Sequence, residues 1–310
     1  MTGTQPGDPV RVRVPGKINL ALCVGPRRED GFHDLATVFQ SVSLFDELTA
    51  TAAPAGVVTV TVEGPGADLV GAPEDNLAVR AARLLGETYA PRRGVDLAIA
   101  KGIPVAGGMA GGSADAAAAL LACDRLWGLG LPREALLELG AVLGSDVPFT
   151  LLGGTAVGHG RGERLTGVRV DHVFHWVLVT SGEGLSTPAV FRRFDRLHPP
   201  ASVPAPVVPD GLLAALAGGD PVALARTLRN DLAEPALELR PDLAATLAAG
   251  EEAGAVGRMV SGSGPTCAFL ARDAVHATVL ATALRVGLPG RDIHVVTAPA
   301  SIGFPHAGRG

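Results

Sequence analysis

The chain has 310 residues, of which 47% are hydrophobic and 18% are charged, and its net charge is −5. This length predicts two compact units, since one domain typically holds about 100–150 residues. The acidic balance excludes the basic surface that nucleic-acid binding requires, and no apolar run approaches the roughly 20 residues of a membrane-spanning helix. The first residues also lack an export signal. We therefore expect a soluble, cytoplasmic protein that binds neither nucleic acid nor membrane; its oligomeric state stays open.

The cysteines and lysines are informative because of where they lie. Cys23, Cys123 and Cys267 are far apart and lack metal-binding spacing, so we expect buried free thiols. Of 26 basic residues, only Lys17 and Lys101 are lysines. Lysine offers a compact ammonium where arginine offers a bulky fork, so each indicates a site that needs a point charge. Chance retention at the surface is the alternative for both.

The first hundred residues show mainly strand signals. Alternation from Val10 and apolar segments up to residue 48 predict strands, with a short helix as an option. Residues 49–64 indicate a β-hairpin. Apolar residues at helical spacing follow over 76–90, and 94–100 return to a strand.

Two helices are predicted after a glycine-rich loop. Residues 113–127 are rich in alanine and leucine, with Ser113 at the expected N-cap position, and residues 131–144 place Pro132 near the first turn. Residues 146–165 then predict a turn, a strand and a loop.

The second unit should begin after a boundary within 164–171. Residues 174–180 predict a buried strand, and the proline-rich stretch 198–211 predicts a surface excursion followed by helices. The remaining signals are a strand, a glycine turn and a strand, then a helix and a last strand ending near residue 298. The whole pattern indicates an α+β fold.

The strongest local signal is the loop PVAGGMAGGSADAAAALL, which lies between a predicted strand and a predicted helix. Gly107, Gly108, Gly111 and Gly112 allow backbone N–H groups to approach phosphate oxygens, and the helix start adds partial positive charge. It is neither a Walker A loop nor a GxGxxG dinucleotide motif. A tight turn that packs a helix on a sheet is the alternative.

Four ordered motifs together resemble the GHMP kinase superfamily: GKINLAL with EDGFHDL, the glycine loop, LGSDVPF, and SGSGPTCAF. The resemblance spans Val10 to Ala298. DGFH and LGSDVPF are most similar to members that phosphorylate a cytidine diphosphate-linked methylerythritol in the non-mevalonate isoprenoid pathway. The loop departs from the family's usual GLGGGSS wording, with Asp115 among the differences.

The resemblance implies the architecture and the reaction. The fold would be α+β, with a ribosomal-protein-S5-like ATP domain over 10–168, a ferredoxin-like C-terminal domain over 169–300 and the active site between them. The enzyme would be an ATP-dependent kinase that phosphorylates the 2-hydroxyl of its small-molecule substrate.

The resemblance assigns Asp146 as the base that takes the proton from the attacking hydroxyl, with Lys17 as its electrostatic partner. A substrate alcohol is a poor nucleophile at neutral pH, and a positioned base typically contributes about 10²–10⁴ in rate. The alternatives are a turn or capping carboxylate for Asp146 and a surface position for Lys17.

ATP would be bound by the glycine loop, together with Mg²⁺. The implied loop residues are Pro104, Val105, Ala106, Gly107, Gly108, Met109, Ala110, Gly111, Gly112, Ser113 and Ala114. The Ser113 hydroxyl is also the implied metal ligand, since phosphoryl transfer uses a cation to bridge phosphate oxygens. Asn76 and Lys101 fall where the family approaches adenine, although Lys101 has a solvated surface position as its alternative.

For the substrate, the resemblance implies that Phe32 stacks on the cytosine and His33 hydrogen-bonds its edge. A core phenylalanine and a satisfied histidine are the alternative. Asn19 and Thr187 are implied near the diphosphate, sugar or erythritol portion, with a turn residue and a helix cap as alternatives.

Other functions stay open from the sequence. Another family member, such as a homoserine or mevalonate kinase, would lack the need for DGFH. A silent nucleotide-binding regulator is opposed by the presence of both Lys17 and Asp146. A nicotinamide oxidoreductase is opposed by the missing GxGxxG motif.

Overall fold

The computed structural model describes residues 8–105 and 107–305, which form two sheets with helices packed against them. Over these residues, the first sheet has seven strands and the second has four. This confirms the α+β class. No helix in the same residues is both long and apolar enough to cross a membrane.

The first sheet is organised around one long strand, His33–Ala53, which pairs with three other strands. Its members are β1 (Val10–Arg27), β2 (His33–Ala53), β3 (Val58–Glu63), β4 (Gly94–Ala100), β5 (Thr155–Gly160), β6 (Arg164–Val168) and β8 (Arg229–Asn230). The order is β3-β4-β2-β1-β8, and β5 pairs with both β2 and β6. β2 is continuous over its 21 residues, so the short helix considered for this segment does not form.

The hairpin predicted over residues 49–64 is wrong. β3 pairs in parallel with β4, from Val58 beside Val95 to Glu63 beside Ala100, and β4 separates β3 from β2. The turn residues Pro54 to Gly56 predict that the strands on either side of them pair with each other. They cannot show that β4, which comes later in the chain, lies between β2 and β3.

Four helices cover this sheet in the described residues: α1 (Leu77–Tyr89), α2 (Gly111–Trp127), α3 (Arg133–Leu143) and α4 (Val147–Leu152). The small side chains of Ala116 to Ala119 are fully buried, so α2 lies close to the sheet. Ser113 is not the N-cap, because α2 begins at Gly111 with Ala110 as its cap. The sequence predicts a turn where α4 forms, because six residues are too few to show the apolar spacing of a helix.

The second sheet contains β7 (Phe174–Thr180), β9 (Gly257–Val260), β10 (Cys267–Ala271) and β11 (Asp292–Ala298). Its antiparallel order β11-β7-β10-β9 is the ferredoxin-like arrangement, in which the first and third strands lie in the middle. The helices of this half are α5 (Thr187–Leu197), α6 (Leu212–Gly218), α7 (Pro221–Ala225), α8 (Ala233–Leu239), α9 (Asp242–Glu252) and α10 (Ala274–Gly287).

The two halves are joined by strand pairing and by a shared core. β8 belongs to the second half of the chain but pairs in parallel with β1, and Arg13 pairs with Gly303. One continuous apolar cluster includes residues of both sheets, among them Val12 and Leu270. A cavity lies at this junction.

Candidate active site

A cavity of about 970 Å³ opens between the two halves. It is lined by the glycine loop, the end of α3 and the turn before α4, the middle of β1, the turn after β1, α5 and the turn between β9 and β10. The predicted catalytic and base-binding residues and part of the predicted phosphate-binding loop, which come from distant parts of the sequence, therefore line a single space.

The glycine loop presents backbone to this cavity. Gly111, Gly112 and Ser113 form the first turn of α2 and line the cavity, and in the described residues no side chain caps this helix start. The first N–H groups of a helix have no intrahelical acceptor, and together with the helix dipole they favour an anion. The geometry suits the phosphates of a nucleotide.

The conformation of the loop depends on close backbone contacts. Gly108 has φ of 74°, and a Cβ there would lie 2.7 Å from the Gly264 carbonyl oxygen. Ala110 has φ of 60°, a left-handed conformation that costs about 1–2 kcal/mol for a residue with a side chain. The Met109 carbonyl accepts a hydrogen bond from the Lys17 N–H at 3.1 Å. The loop is thus fixed against β1 and the β9–β10 turn.

Lys17 and Asp146 lie together at the cavity wall. Lys17 Nζ is 3.7 Å from Asp146 Oδ2, and the Lys17 side chain is 6% exposed against 33% for Asp146. Asp146 precedes α4 without capping it through its side chain, so this carboxylate is not held by a structural hydrogen bond to the helix start. Asp146 does lie in a turn, as one alternative had it, but it is not a side-chain cap, and Lys17 is not a surface residue.

Asn19 orients the ammonium. Lys17 Nζ donates to Asn19 Oδ1 at 2.7 Å, and Asn19 Nδ2 donates to Thr37 Oγ1 at 2.8 Å. Thr37 in turn donates to the Ala21 carbonyl at 2.7 Å. This chain of hydrogen bonds runs across β1 and β2, so the position of Lys17 is set by the sheet.

Phe32 and His33 lie at the other end of the cavity. Phe32 is 50% exposed, and the Arg161 guanidinium carbon lies 4.7 Å from its ring centroid. His33 is buried: its Nδ1–H donates to the Gly25 carbonyl at 2.8 Å, and its Nε2 lies 3.2 Å from Asp195 Oδ1. Phe32 is not a core residue. Both ring nitrogens of His33 face protein oxygens, so the satisfied-histidine alternative describes its surroundings.

Helix α5 contributes residues that the sequence analysis missed. Phe191 stacks on His33 with ring centroids 5.2 Å apart, and Asp195 contacts the same ring. Thr187, Phe191 and Asp195 are spaced four residues apart, so they share one face of the helix, and all line the cavity. Because Thr187 was predicted from the sequence, this four-residue spacing could have identified Phe191 and Asp195 as further residues of the site.

The turn over Ser261–Thr266 faces the glycine loop and is held from two sides. The Thr187 hydroxyl lies 2.7 Å from the Ser263 hydroxyl, so Thr187 is engaged with this turn as well as lining the cavity. Asn230 Nδ2 donates to the carbonyls of Val260 and Gly262 at 2.7 and 2.8 Å. Asn230 was not found from the sequence because its partners are 30 residues away.

Several predicted ATP-binding residues do not line the cavity: Asn76, Lys101, Pro104, Val105, Met109 and Ala114. Asn76 caps α1 by accepting hydrogen bonds from the backbone N–H groups of Ala78 and Val79. Lys101 is buried between two carboxylates, so its solvated alternative is wrong. Ala106 lies outside the described residues.

No group of three or more His, Cys, Asp or Glu side chains in the described part of the chain could hold a metal ion. Ser113, the predicted metal ligand, lies at the cavity beside the two glycines that begin α2. A cation that arrives with the nucleotide phosphates fits this arrangement, whereas a fixed protein-bound metal does not.

Comparison with known proteins agrees with this geometry. Residues 76–154 match the family described as GHMP kinases N terminal domain, and residues 212–286 match GHMP kinases C terminal. The chain is 56% identical to a 4-diphosphocytidyl-2-C-methyl-D-erythritol kinase of Streptomyces coelicolor, over 94% of this chain and 97% of that protein. A protein of the same name from Mycolicibacterium smegmatis is 52% identical, over 94% and 90%.

Solved structures show the same relationship. A crystal structure of a 4-(cytidine 5'-diphospho)-2C-methyl-D-erythritol kinase superposes with a TM-score of 0.77 at 34% identity, covering 94% of this chain and all of that one. A homoserine kinase from Cytophaga hutchinsonii has a TM-score of 0.75 at 18% identity, over 98% and 99% of the two chains, and shares the fold alone. The chain therefore belongs to the GHMP kinase family and is an ATP-dependent small-molecule kinase.

Proposed function

We propose that this kinase transfers the γ-phosphoryl group of ATP to the 2-hydroxyl of 4-diphosphocytidyl-2-C-methyl-D-erythritol in the non-mevalonate isoprenoid pathway, in the cytoplasm. The observation that carries the proposal is a single cavity with two different ends. One end presents backbone N–H groups and glycines, and the other presents an aromatic ring and a histidine–aspartate pair. The names of the relatives support the same substrate.

The chemistry follows from the pair at the centre. Asp146 takes the proton from the substrate hydroxyl, and the resulting oxygen attacks the γ-phosphorus. The bond between that phosphorus and the bridging oxygen to the β-phosphate breaks, so ADP leaves with the electron pair. Lys17, held by Asn19 at 2.7 Å, places a compact positive charge beside Asp146 and the reacting oxygens. The exposed third of the Asp146 side chain faces the space the hydroxyl would enter.

The ATP phosphates would lie against the loop from Gly107 to Ser113. Magnesium would be held by phosphate oxygens and water, with the Ser113 hydroxyl as one further ligand, and would neutralise charge on the transferred group. Asn76 and Ala114 would contribute by fixing the starts of the two helices beside the nucleotide.

At the other end, the cytosine would stack on Phe32, and its edge would meet the pair formed by His33 and Asp195. The exocyclic amine of cytosine is a donor that a carboxylate accepts, whereas uracil presents an acceptor at that position. Thr187 and Asn19 line the space between base and catalytic centre, where the diphosphate and erythritol would lie.

The proposed domain limits are 10–168 and 169–300. The segment between Val168, where β6 ends, and Phe174, where β7 begins, supports a boundary at this place.

The test is the initial rate of ADP formation with Mg²⁺ and ATP, comparing the cytidylyl compound with homoserine and mevalonate. We expect turnover with the cytidylyl compound alone, and ³¹P NMR of the product should show a new phosphomonoester on the 2-hydroxyl. Turnover with homoserine or mevalonate would support the kinase activity but contradict the proposed cytosine-binding end of the cavity. ATP binding without turnover of any of the three would support the silent regulator.

A further inference from the structure

A buried ionic cluster lies beneath the glycine loop, outside the residues that line the cavity. Lys101 Nζ is 2.5 Å from Asp46 Oδ2 and 2.7 Å from Asp115 Oδ2. The side chains of Lys101, Asp46 and Asp115 are exposed by only 2%, 1% and 8%. Charged groups are rarely buried to this extent, so the cluster needs an explanation.

The three members come from the three segments that frame the loop. Asp46 lies in β2, Lys101 directly follows β4, and Asp115 is the fifth residue of α2. Asp46 Oδ1 also accepts the backbone N–H groups of Gly102 and Ile103 at 2.7 and 2.9 Å, at the start of the loop. The cluster therefore ties the entry and the exit of the loop to the same strand.

The first residue of α2 sits on this cluster. A Cβ added to Gly111 would lie 3.4 Å from Lys101 Nζ and 3.3 Å from Ile103 Cγ2. The ammonium of Lys101 therefore lies directly beside the first residue of α2, which is a glycine and places no side chain between them. A shift of Lys101 would therefore change the packing beneath the N–H groups of this first turn.

Stability alone does not account for the cluster. Two carboxylates share one ammonium, and Asp115 Oδ1 has no hydrogen-bond partner among the described residues. Burial raises the pKa of Asp115 to about 7, with Lys101 opposing the rise and Asp46 adding to it. Because well-packed apolar residues often stabilise such a position as well or better, the charges point to a demand for one specific geometry.

We propose that Lys101 is a positioning residue for ATP: by bridging Asp46 and Asp115 it sets the orientation of the helix start that binds the nucleotide phosphates. This rests on the proposed function, which places those phosphates at Gly111 to Ser113. It differs from a contact between Lys101 and adenine, because the two carboxylates already enclose the ammonium. It also gives Asp115 a role, since this side chain points to Lys101 and away from the phosphates.

The experiment uses the purified full chain and titration calorimetry with Mg²⁺–ATP, with inorganic tripolyphosphate as a base-free competitor. We expect K101M and D115L to weaken binding of both ligands about tenfold, since small misplacements of binding groups have effects of this size. D115N keeps an oxygen that accepts from Lys101, so its affinity should stay within about threefold of the unmodified protein. Leu280→Ala, which opens the core of the other half, should lower Tm and leave both affinities unchanged.

The outcomes separate the possibilities. Loss of ATP affinity with unchanged tripolyphosphate affinity in K101M would show a contact with adenine and overturn the inference. Equal affinities of D115L and D115N would also overturn it, and this pair decides the matter if K101M does not fold. An unmodified protein that binds neither ligand would contradict the proposed function itself, whereas binding of both with no effect of any variant would reject the positioning role alone.

Discussion

The two ends of the cavity are built by different means. The phosphate end uses backbone N–H groups, glycines and a buried ionic cluster, all held by elements of the sheet. The base end uses side chains: Phe32 is half exposed, and the turn that carries it is held by surface ion pairs of Arg28 with Asp30 and Asp34. A backbone site tolerates few substitutions, whereas exposed side chains can be exchanged without disturbing the fold.

This difference indicates which residues would set the choice of substrate. A phosphate end made of backbone depends on the few positions that set the conformation of the loop, such as Gly108, whereas the base end depends on the identity of its exposed side chains. We therefore expect ATP binding to depend mainly on the conformation of the glycine loop, and the choice of substrate to depend on side chains such as Phe32 and Asp195.

The largest effect should come from the centre, where the two ends meet. Asp146→Asn should lower kcat about 10²–10⁴-fold with little change in either KM, because the amide fills the same space but cannot take the proton. Steady-state rates for both substrates would measure this. Asp171→Asn, at an exposed carboxylate paired with Arg169, is the matched control and should leave kcat unchanged. A D146N variant with near-normal kcat would remove the general-base assignment.

The phosphate end should be sensitive to a single methyl group. Gly108→Ala should raise the KM for ATP about tenfold or more, because the new Cβ would meet the Gly264 carbonyl at 2.7 Å and displace the loop. Gly56→Ala is the matched control: its φ of 75° is nearly that of Gly108 at 74°, but no atom lies within 4 Å of its Cβ. It should lower stability by about 1–2 kcal/mol and leave KM unchanged. Similar KM values for the two variants would contradict the proposed contact between loop and turn.

A substitution at the base end should change the KM for the cytidylyl compound rather than the KM for ATP. Phe32→Ala should raise the KM for the cytidylyl compound about tenfold and leave the KM for ATP unchanged, since stacking on a base is worth about 1–3 kcal/mol. Tyr89→Ala removes an aromatic ring of similar exposure, 42% against 50%, outside the cavity. It should change neither KM. An F32A effect on ATP instead would show that the two ends have been assigned the wrong way round.

The smallest predicted effect concerns pH and stability. Because burial raises the pKa of Asp115 to about 7 from an unfolded value near 4, the folded protein holds this proton at pH 5 and loses it by pH 8. Its contribution to stability is full below about pH 4 and is lost as pH rises through 7. Asp115→Asn cannot ionise, so its free energy of unfolding relative to the unmodified protein should increase by about 1 kcal/mol or more between pH 5 and 8.

Asp242→Asn supplies a control of the opposite sign. Hydrogen bonding from Arg240 lowers the pKa of Asp242 to about 2, so its contribution is present above about pH 4 and lost only as pH falls through 2. Its effect on urea unfolding should therefore be the same at pH 5 and at pH 8. A D115N difference that is equally constant would mean that Asp115 is ionised throughout this range.

The sequence predicted the parts of the site that local motifs encode. The glycine loop, Lys17 and Asp146 were named from motifs, and the structure brings them to one cavity because β1, α2 and α4 pack together. The last strand and β7 were likewise readable from runs of apolar β-branched residues. In contrast, the position of β3 was wrong because pairing with β4 is a property of the whole sheet.

Long-range side-chain contacts were beyond prediction for a similar reason. The rarity of lysine singled out Lys101, but its partners Asp46 and Asp115 lie 55 and 14 residues away, and no local pattern joins them. Asp195 lies 162 residues from His33, and only the folded chain shows that the carboxylate meets the imidazole. The first set of contacts lies beneath the phosphate end of the cavity, and the second lies at the base end.

The most direct test of the account is kcat/KM for 4-diphosphocytidyl-2-C-methyl-D-erythritol against 2-C-methyl-D-erythritol 4-phosphate, which lacks the cytidylyl group, at saturating Mg²⁺–ATP. Both carry the reacting hydroxyl, but only the first can fill the base end. We predict a ratio of at least about 10³, since base binding would contribute stacking and edge contacts together. Equal values for the two compounds would contradict the central claim that the side chains around Phe32 choose the substrate.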